Sequence, residues 1–182
     1  KLQIVFADSQ GQPEVAQTES DRLINQEKCV ALFGCYQSTS TATASQVAER
    51  YSIPFVNPDS SSPQLTRRGL QYFVRIQPDE DLFSKNLFDF LKDLKAKRAD
   101  ITATKLAILH ENSLWGTDSG QAQAQFAKEY GYAVVADVTH PTPAIQVTSE
   151  VQKLKAAKPE ILIQSSYFAE VALFMKSYKE QD

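Results

Sequence analysis

Short apolar or β-branched runs alternate along the chain with segments whose apolar residues recur at helical spacing. Leu2 to Ala7, Val30 to Phe33, Ile53 to Asn57 and Tyr72 to Ile76 each predict a strand. Between them, Pro13 suits the first position of a helix carrying Val15, Ala16, Leu23 and Ile24 on one side. Ala44, Val47, Ala48 and Tyr51 mark the buried side of a second helix over 39–51. The later part of the chain repeats this rhythm. A long helix opens at the hinge-like Pro78-Asp79-Glu80-Asp81 and buries Leu87, Phe88, Leu91 and Leu94, and a basic, mobile stretch, Lys95 to Arg98, follows it. Strands are predicted at 105–109, 132–138 and 161–164, and helices at 116–130 and 145–157. Gly131 serves as a left-handed stop, and Pro159 lies just beyond the second of these helices. The last helix carries Val171, Phe174, Met175 and Tyr178 at core spacing.

Strands that alternate with helices of this length imply parallel sheets covered on both faces, an α/β class. The irregular, turn-rich stretch from Pro58 to Asp81 interrupts the rhythm and predicts a crossover between two lobes, residues 1–78 and 79–182.

Ligands of open parallel sheets bind beyond the carboxyl ends of the strands. Four such ends here carry polar groups: Gly34 to Thr41, Asn57 to Ser62, His110 to Gly116 and Gln164 to Tyr167. Serines at helix starts can hold an anionic group together with free backbone N–H donors, and they serve equally as plain helix caps. Trp115 and Tyr167 are candidate ligand platforms, or partly buried aromatics.

Composition narrows the functions further. The 182 residues are 42% hydrophobic and 23% charged, with a net charge of −3 and no basic face, so nucleic acid and anionic membranes are poor partners. No run approaches the roughly 18–20 apolar residues of a membrane span. The chain opens directly on a strand-like run, so any targeting segment is expected to have been removed or not included. Dinucleotide, P-loop, zinc-protease and serine-hydrolase motifs are all missing from the sequence. Cys35, at a strand end before a helix, reads either as a nucleophile or as a small half-buried residue. His110 is the other candidate for an enzyme, and His140 stands beside Pro141 in a loop with no evident partner. Cys29 and Cys35 flank a strand that would separate them by about 20 Å, too far for a disulfide with each other.

Several segments, in this order, resemble the type I periplasmic solute-binding proteins, nearest to the branched-chain amino acid (Leu/Ile/Val) binders of ABC transporters and their receptor relatives. They are Lys1 to Pro13, Val30 to Gly34, Val47 to Glu49, Ile53 to Pro58, Ser62 to Gly69, Tyr72 to Arg75, Trp115-Gly116 and Leu154 to Glu160. The resemblance covers essentially the whole chain. It implies two Rossmann-like lobes, here truncated at both ends, that close on an amino acid or related small carboxylate. It also implies docking to a membrane permease, a periplasmic or extracellular location, and neither catalysis nor a cofactor nor a metal.

Carried over position by position, Ser38 matches the serine that holds the ligand carboxylate. Asp59 matches a position whose backbone carbonyl meets the ligand ammonium. Ser61 matches a hydroxyl residue near the same groups, while Trp115 and Tyr167 match two second-lobe aromatics. Asp59 departs from the family, where that position is commonly small. The family's first strand and helix, a later second-lobe acid and the return strands find no match, so the resemblance implies a pocket that this stretch of chain does not complete. A sensory domain of the same fold is the alternative reading.

Overall fold

The computed structural model describes residues 1–181. The chain divides into two compact units, Lys1–Asp79 and Glu80–Asp182, each a parallel α/β layer structure.

The first unit contains α1 (Pro13–Asn25), β1 (Leu32–Phe33), α2 (Ser38–Arg50), β2 (Phe55–Asn57) and β3 (Phe73–Arg75), with one 3-10 turn at Pro63–Thr66. Its sheet has the order β1-β2-β3, all parallel, with Leu32 opposite Phe55 and Phe55 opposite Phe73. Ala16, Ile24, Leu32, Ala44, Val47, Ala48 and Phe55 form the core, and the rings of Phe55 and Phe73 lie 5.8 Å apart. The predicted first strand does not form. Leu2 to Ala7 joins no ladder, and Leu2 and Phe6 are 88% and 85% exposed. Leu2, Ile4, Phe6, Leu32 and Phe33, among others, line a groove of about 470 Å³. Strand propensity alone cannot make a strand when no neighbour accepts and donates along it.

The second unit contains α3 (Glu80–Lys97), β4 (Lys105–Glu111), α4 (Leu114–Glu129), β5 (Ala133–His140), α5 (Thr148–Ala157), β6 (Ile161–Ser165) and α6 (Phe168–Glu180). Its sheet has the order β5-β4-β6, again parallel. Side chains alternate across the central strand β4. Leu106 and Ile108 pack with Phe88, Ala127 and Tyr132, while Ala107 and Leu109 pack with Val138, Val151, Leu154 and Phe174. Both faces are covered, so β4 reads as a continuous apolar run.

Three further expectations are corrected. Lys95 to Lys97 is not a loose basic stretch but the last turn of α3, where cations complement the helix dipole. The Lys95 ammonium also lies 4.3 Å from the centre of the Tyr132 ring. Met175 is exposed while Phe174 is fully buried, so the core face of α6 is narrower than its apolar spacing suggests. The fifth helix starts at Thr148 and not at 145, leaving Ile145 exposed. At the end of α4, Gly131 has φ +77°, and Tyr132 N donates to Ala127 O at 2.8 Å, the left-handed stop expected there.

Candidate ligand-binding site

In the first unit, the polar residues after β1 and β2 are laced together. Asn57 Nδ2 donates to Gly34 O (3.0 Å) and Cys35 O (3.2 Å), and Ser60 Oγ bonds Cys35 O (2.9 Å) and Tyr36 O (3.0 Å). Thr41 Oγ1 meets Ser60 Oγ as well. These bonds fix the turn that launches α2. Ser38 is the first residue of α2, with Gln37 as its N-cap, and its buried Oγ accepts from Ser62 N at 3.3 Å. Ser38 and the Ser61-Ser62 segment therefore share one rim, beside the first-turn N–H groups of a helix. Ser61 is buried and Asp59 exposed. Arg75 Nη1 donates to Ser62 O at 2.7 Å and its other nitrogen pairs with Asp79 at 3.3 Å, so the rim is braced to the last residues of the unit.

In the second unit, Trp115 lies in the first turn of α4 after β4, and Tyr167 is the N-cap of α6 after β6. Their ring centroids are 5.0 Å apart with a 40° tilt. The turn that carries Trp115 is built on Glu111. This carboxylate is fully buried and accepts from Gly116 N (2.8 Å) and from both Ser113 N and Ser113 Oγ. A Cβ at Gly116 would come within 2.1 Å of Glu111 O, which explains the glycine after the tryptophan. The indole N–H donates to Glu80 Oε1 at 2.7 Å.

The histidines are structural in their contacts. His110 Nδ1 lies 3.0 Å from Glu111 O, and its Nε2 lies 3.2 Å from Thr139 Oγ1 and 3.5 Å from Asp137. His140 is not a loop residue without partners. It ends β5 and is buried, with Nε2 2.7 Å from Ser166 Oγ, Nδ1 2.8 Å from Pro141 O and its ring edge-on to Phe174. Cys29 and Cys35 are both free thiols, and burial pushes the Cys35 thiol up, away from a reactive thiolate. Among the described residues no cluster could hold a metal ion, and no helix is long and apolar enough to cross a membrane.

The sequence assigns no individual role to Glu80, and holds Glu111, Asn57 and Ser60 only as members of polar strand ends. Glu80 read only as part of an acidic helix start, and nothing in local spacing ties it to Trp115, 35 positions on.

Both units are α/β with parallel sheets, and the expected fold class is borne out. The family model for periplasmic binding proteins matches residues 1–182, and the chain belongs to that family. It is 29% identical over 164 residues to "Leu/Ile/Val-binding protein homolog 7" of Brucella abortus (strain 2308), covering 89% of this chain and 41% of that protein. A periplasmic binding protein from Burkholderia mallei superposes with TM-score 0.86 at 19% identity, over 98% of this chain and 46% of the other. A solute-binding protein of an ABC transporter from Rhodopseudomonas palustris BisB5, in complex with 3,4-dihydroxy benzoic acid, gives TM-score 0.85 at 19% identity, over 100% and 48%. The chain thus spans less than half the length of these relatives.

Proposed function

We propose that the whole protein is the solute-binding component of an ABC-type importer. It captures an amino acid or related small carboxylate, performs no chemistry on it, and presents it to a membrane permease from the periplasm or the outer cell surface. Residues 1–78 are the first lobe and 79–182 the second, as parts of a longer pair. The carboxylate meets the rim of Ser38 and Ser61 at the start of α2, where backbone N–H donors and the helix dipole favour an anion. Asp59 contributes its backbone, since its side chain is exposed. The body of the ligand packs on Trp115 and Tyr167. Contacts made to both lobes exist together only in a closed form, so ligand shifts the population toward it.

The observation that carries this reading is the placement of all five residues on loops and helix starts following parallel strands, within a chain of this family. The Trp115–Tyr167 pair favours a second, narrower reading in which the solute is an aromatic carboxylate, as in the Rhodopseudomonas palustris protein.

Titration calorimetry of the protein at its full natural length with L-leucine, L-phenylalanine and 3,4-dihydroxybenzoate tests both. Saturable heat with any of them supports capture, and preference for the benzoate supports the narrower reading. No heat with the three overturns the proposal.

A further inference from the structure

Glu80 is the first residue of the second unit, directly after Asp79, the last of the first. It is buried, at 7% exposure. One carboxylate oxygen accepts the indole N–H of Trp115 (2.7 Å) and the other accepts from Ser119 Oγ (2.9 Å). Ser119 Oγ lies 2.8 Å from Ser165 Oγ, and Gln123 Nε2 donates to both serines, at 3.0 and 2.8 Å. Ser119, Gln123 and Ser165 are all buried.

The donor count gives this cluster a direction. A carboxylate only accepts, so the single hydroxyl hydrogen of Ser119 goes to Glu80. Ser165 must then donate to Ser119. Every hydrogen therefore points along one chain, Gln123 and Ser165 to Ser119 to Glu80, with Trp115 arriving from the other side. Hydrogen bonds to a charged acceptor are the stronger kind, and in a buried chain they reinforce one another. Ser165 ends β6, two residues before Tyr167. Trp115 is thus held by one acidic residue at the point where the chain enters the second unit, and the same residue reaches the strand end that leads to Tyr167 through Ser119 and Ser165.

We propose that Glu80 is a positioning residue that fixes the orientation of Trp115, and through Ser119 and Ser165 the approach to Tyr167, so setting the aromatic face offered to the solute. The ligand part of this statement rests on the binding function proposed above; the positioning part does not.

The near-isosteric substitution Glu80→Gln separates charge and polarity from packing. An amide offers one accepting oxygen where two are needed, so either the Trp115 N–H or the Ser119 hydroxyl loses its acceptor. Trp115 is the only tryptophan in these 182 residues, and in the full-length protein its indole signals are assigned by difference against Trp115→Phe. In the unsubstituted protein at full natural length, the indole N–H should exchange with solvent at least about tenfold more slowly than that of a free indole, as expected of a hydrogen-bonded, part-buried donor. In E80Q the near-ultraviolet circular dichroism of Trp115 should lose about half its intensity and acrylamide quenching should rise about twofold, with the far-ultraviolet spectrum unchanged, the mark of a freed side chain on an intact fold. Affinity for L-leucine or 3,4-dihydroxybenzoate, whichever binds, should fall about tenfold.

Fast Trp115 indole exchange in the unsubstituted protein overturns the positioning role and needs no change at Glu80. Unchanged Trp115 signals in a folded E80Q also overturn it. Altered Trp115 signals with unchanged affinity overturn the link to the solute. If the unsubstituted protein binds neither probe, the binding function fails, while the indole measurements still decide the role of Glu80.

Discussion

His140 and Ser166 meet at 2.7 Å, Nε2 to Oγ, joining the end of β5 to the turn between β6 and α6. The opposite ring nitrogen, Nδ1, lies 2.8 Å from Pro141 O. A carbonyl oxygen can only accept, so Nδ1 carries the hydrogen and, in the neutral ring, Nε2 accepts from the Ser166 hydroxyl. Nitrogen-15 spectra of the imidazole should show this Nδ1–H tautomer. His140→Ala should destabilise the protein by about 1–3 kcal/mol in urea unfolding, because it strands two polar groups and empties space beside Phe174. A loss below about 0.5 kcal/mol would show that the bridge is incidental.

Gly116 and Gly131 are glycines for different reasons, and the same substitution separates them. A methyl at Gly116 collides with Glu111 O at 2.1 Å, so G116A should cost about 1–3 kcal/mol and disturb the turn that carries Trp115. Gly131 faces open space but has φ +77°, so G131A should cost about 1–2 kcal/mol and leave Trp115 fluorescence unchanged. Denaturation midpoints together with emission spectra check both.

Ser38→Ala removes a hydroxyl that already braces Ser62 N. In titrations of the full-length protein it should weaken carboxylate binding by about 1–3 kcal/mol, as expected when a charged acceptor loses a donor. Unchanged affinity would remove Ser38 from the proposed site.

Burial pushes the Tyr178 phenol up from 10.0 to about 12. The folded chain therefore holds this proton more tightly than the unfolded chain. The resulting stability is complete below pH 10.0 and is lost as the pH rises toward about 12. Phenolate absorbance should show a step near pH 12 that Tyr178→Phe removes.

Much of the fold was legible because its causes are local. Apolar runs in strands, helical spacing such as Ala44, Val47 and Ala48, and punctuation at Pro13, Gly131 and Pro159 act over a few residues and survive reading one position at a time. The rim serines and the aromatic pair are candidates by their places at strand ends and by resemblance to a family, since their own spacing leaves a helix cap and a ligand contact equally open.

What the sequence determined by itself is the alternating α/β order, the parallel sheets and the family. Tertiary structure alone decided that Leu2 to Ala7 stays outside the sheet, that His140 bridges to Ser166, and that Glu80 holds Trp115. Each depends on groups tens of positions apart in the chain coming within hydrogen-bonding range or failing to. A residue's own pattern carries its propensity and its side of an element, but a hydrogen bond needs two partners, and folding alone settles which distant partner arrives.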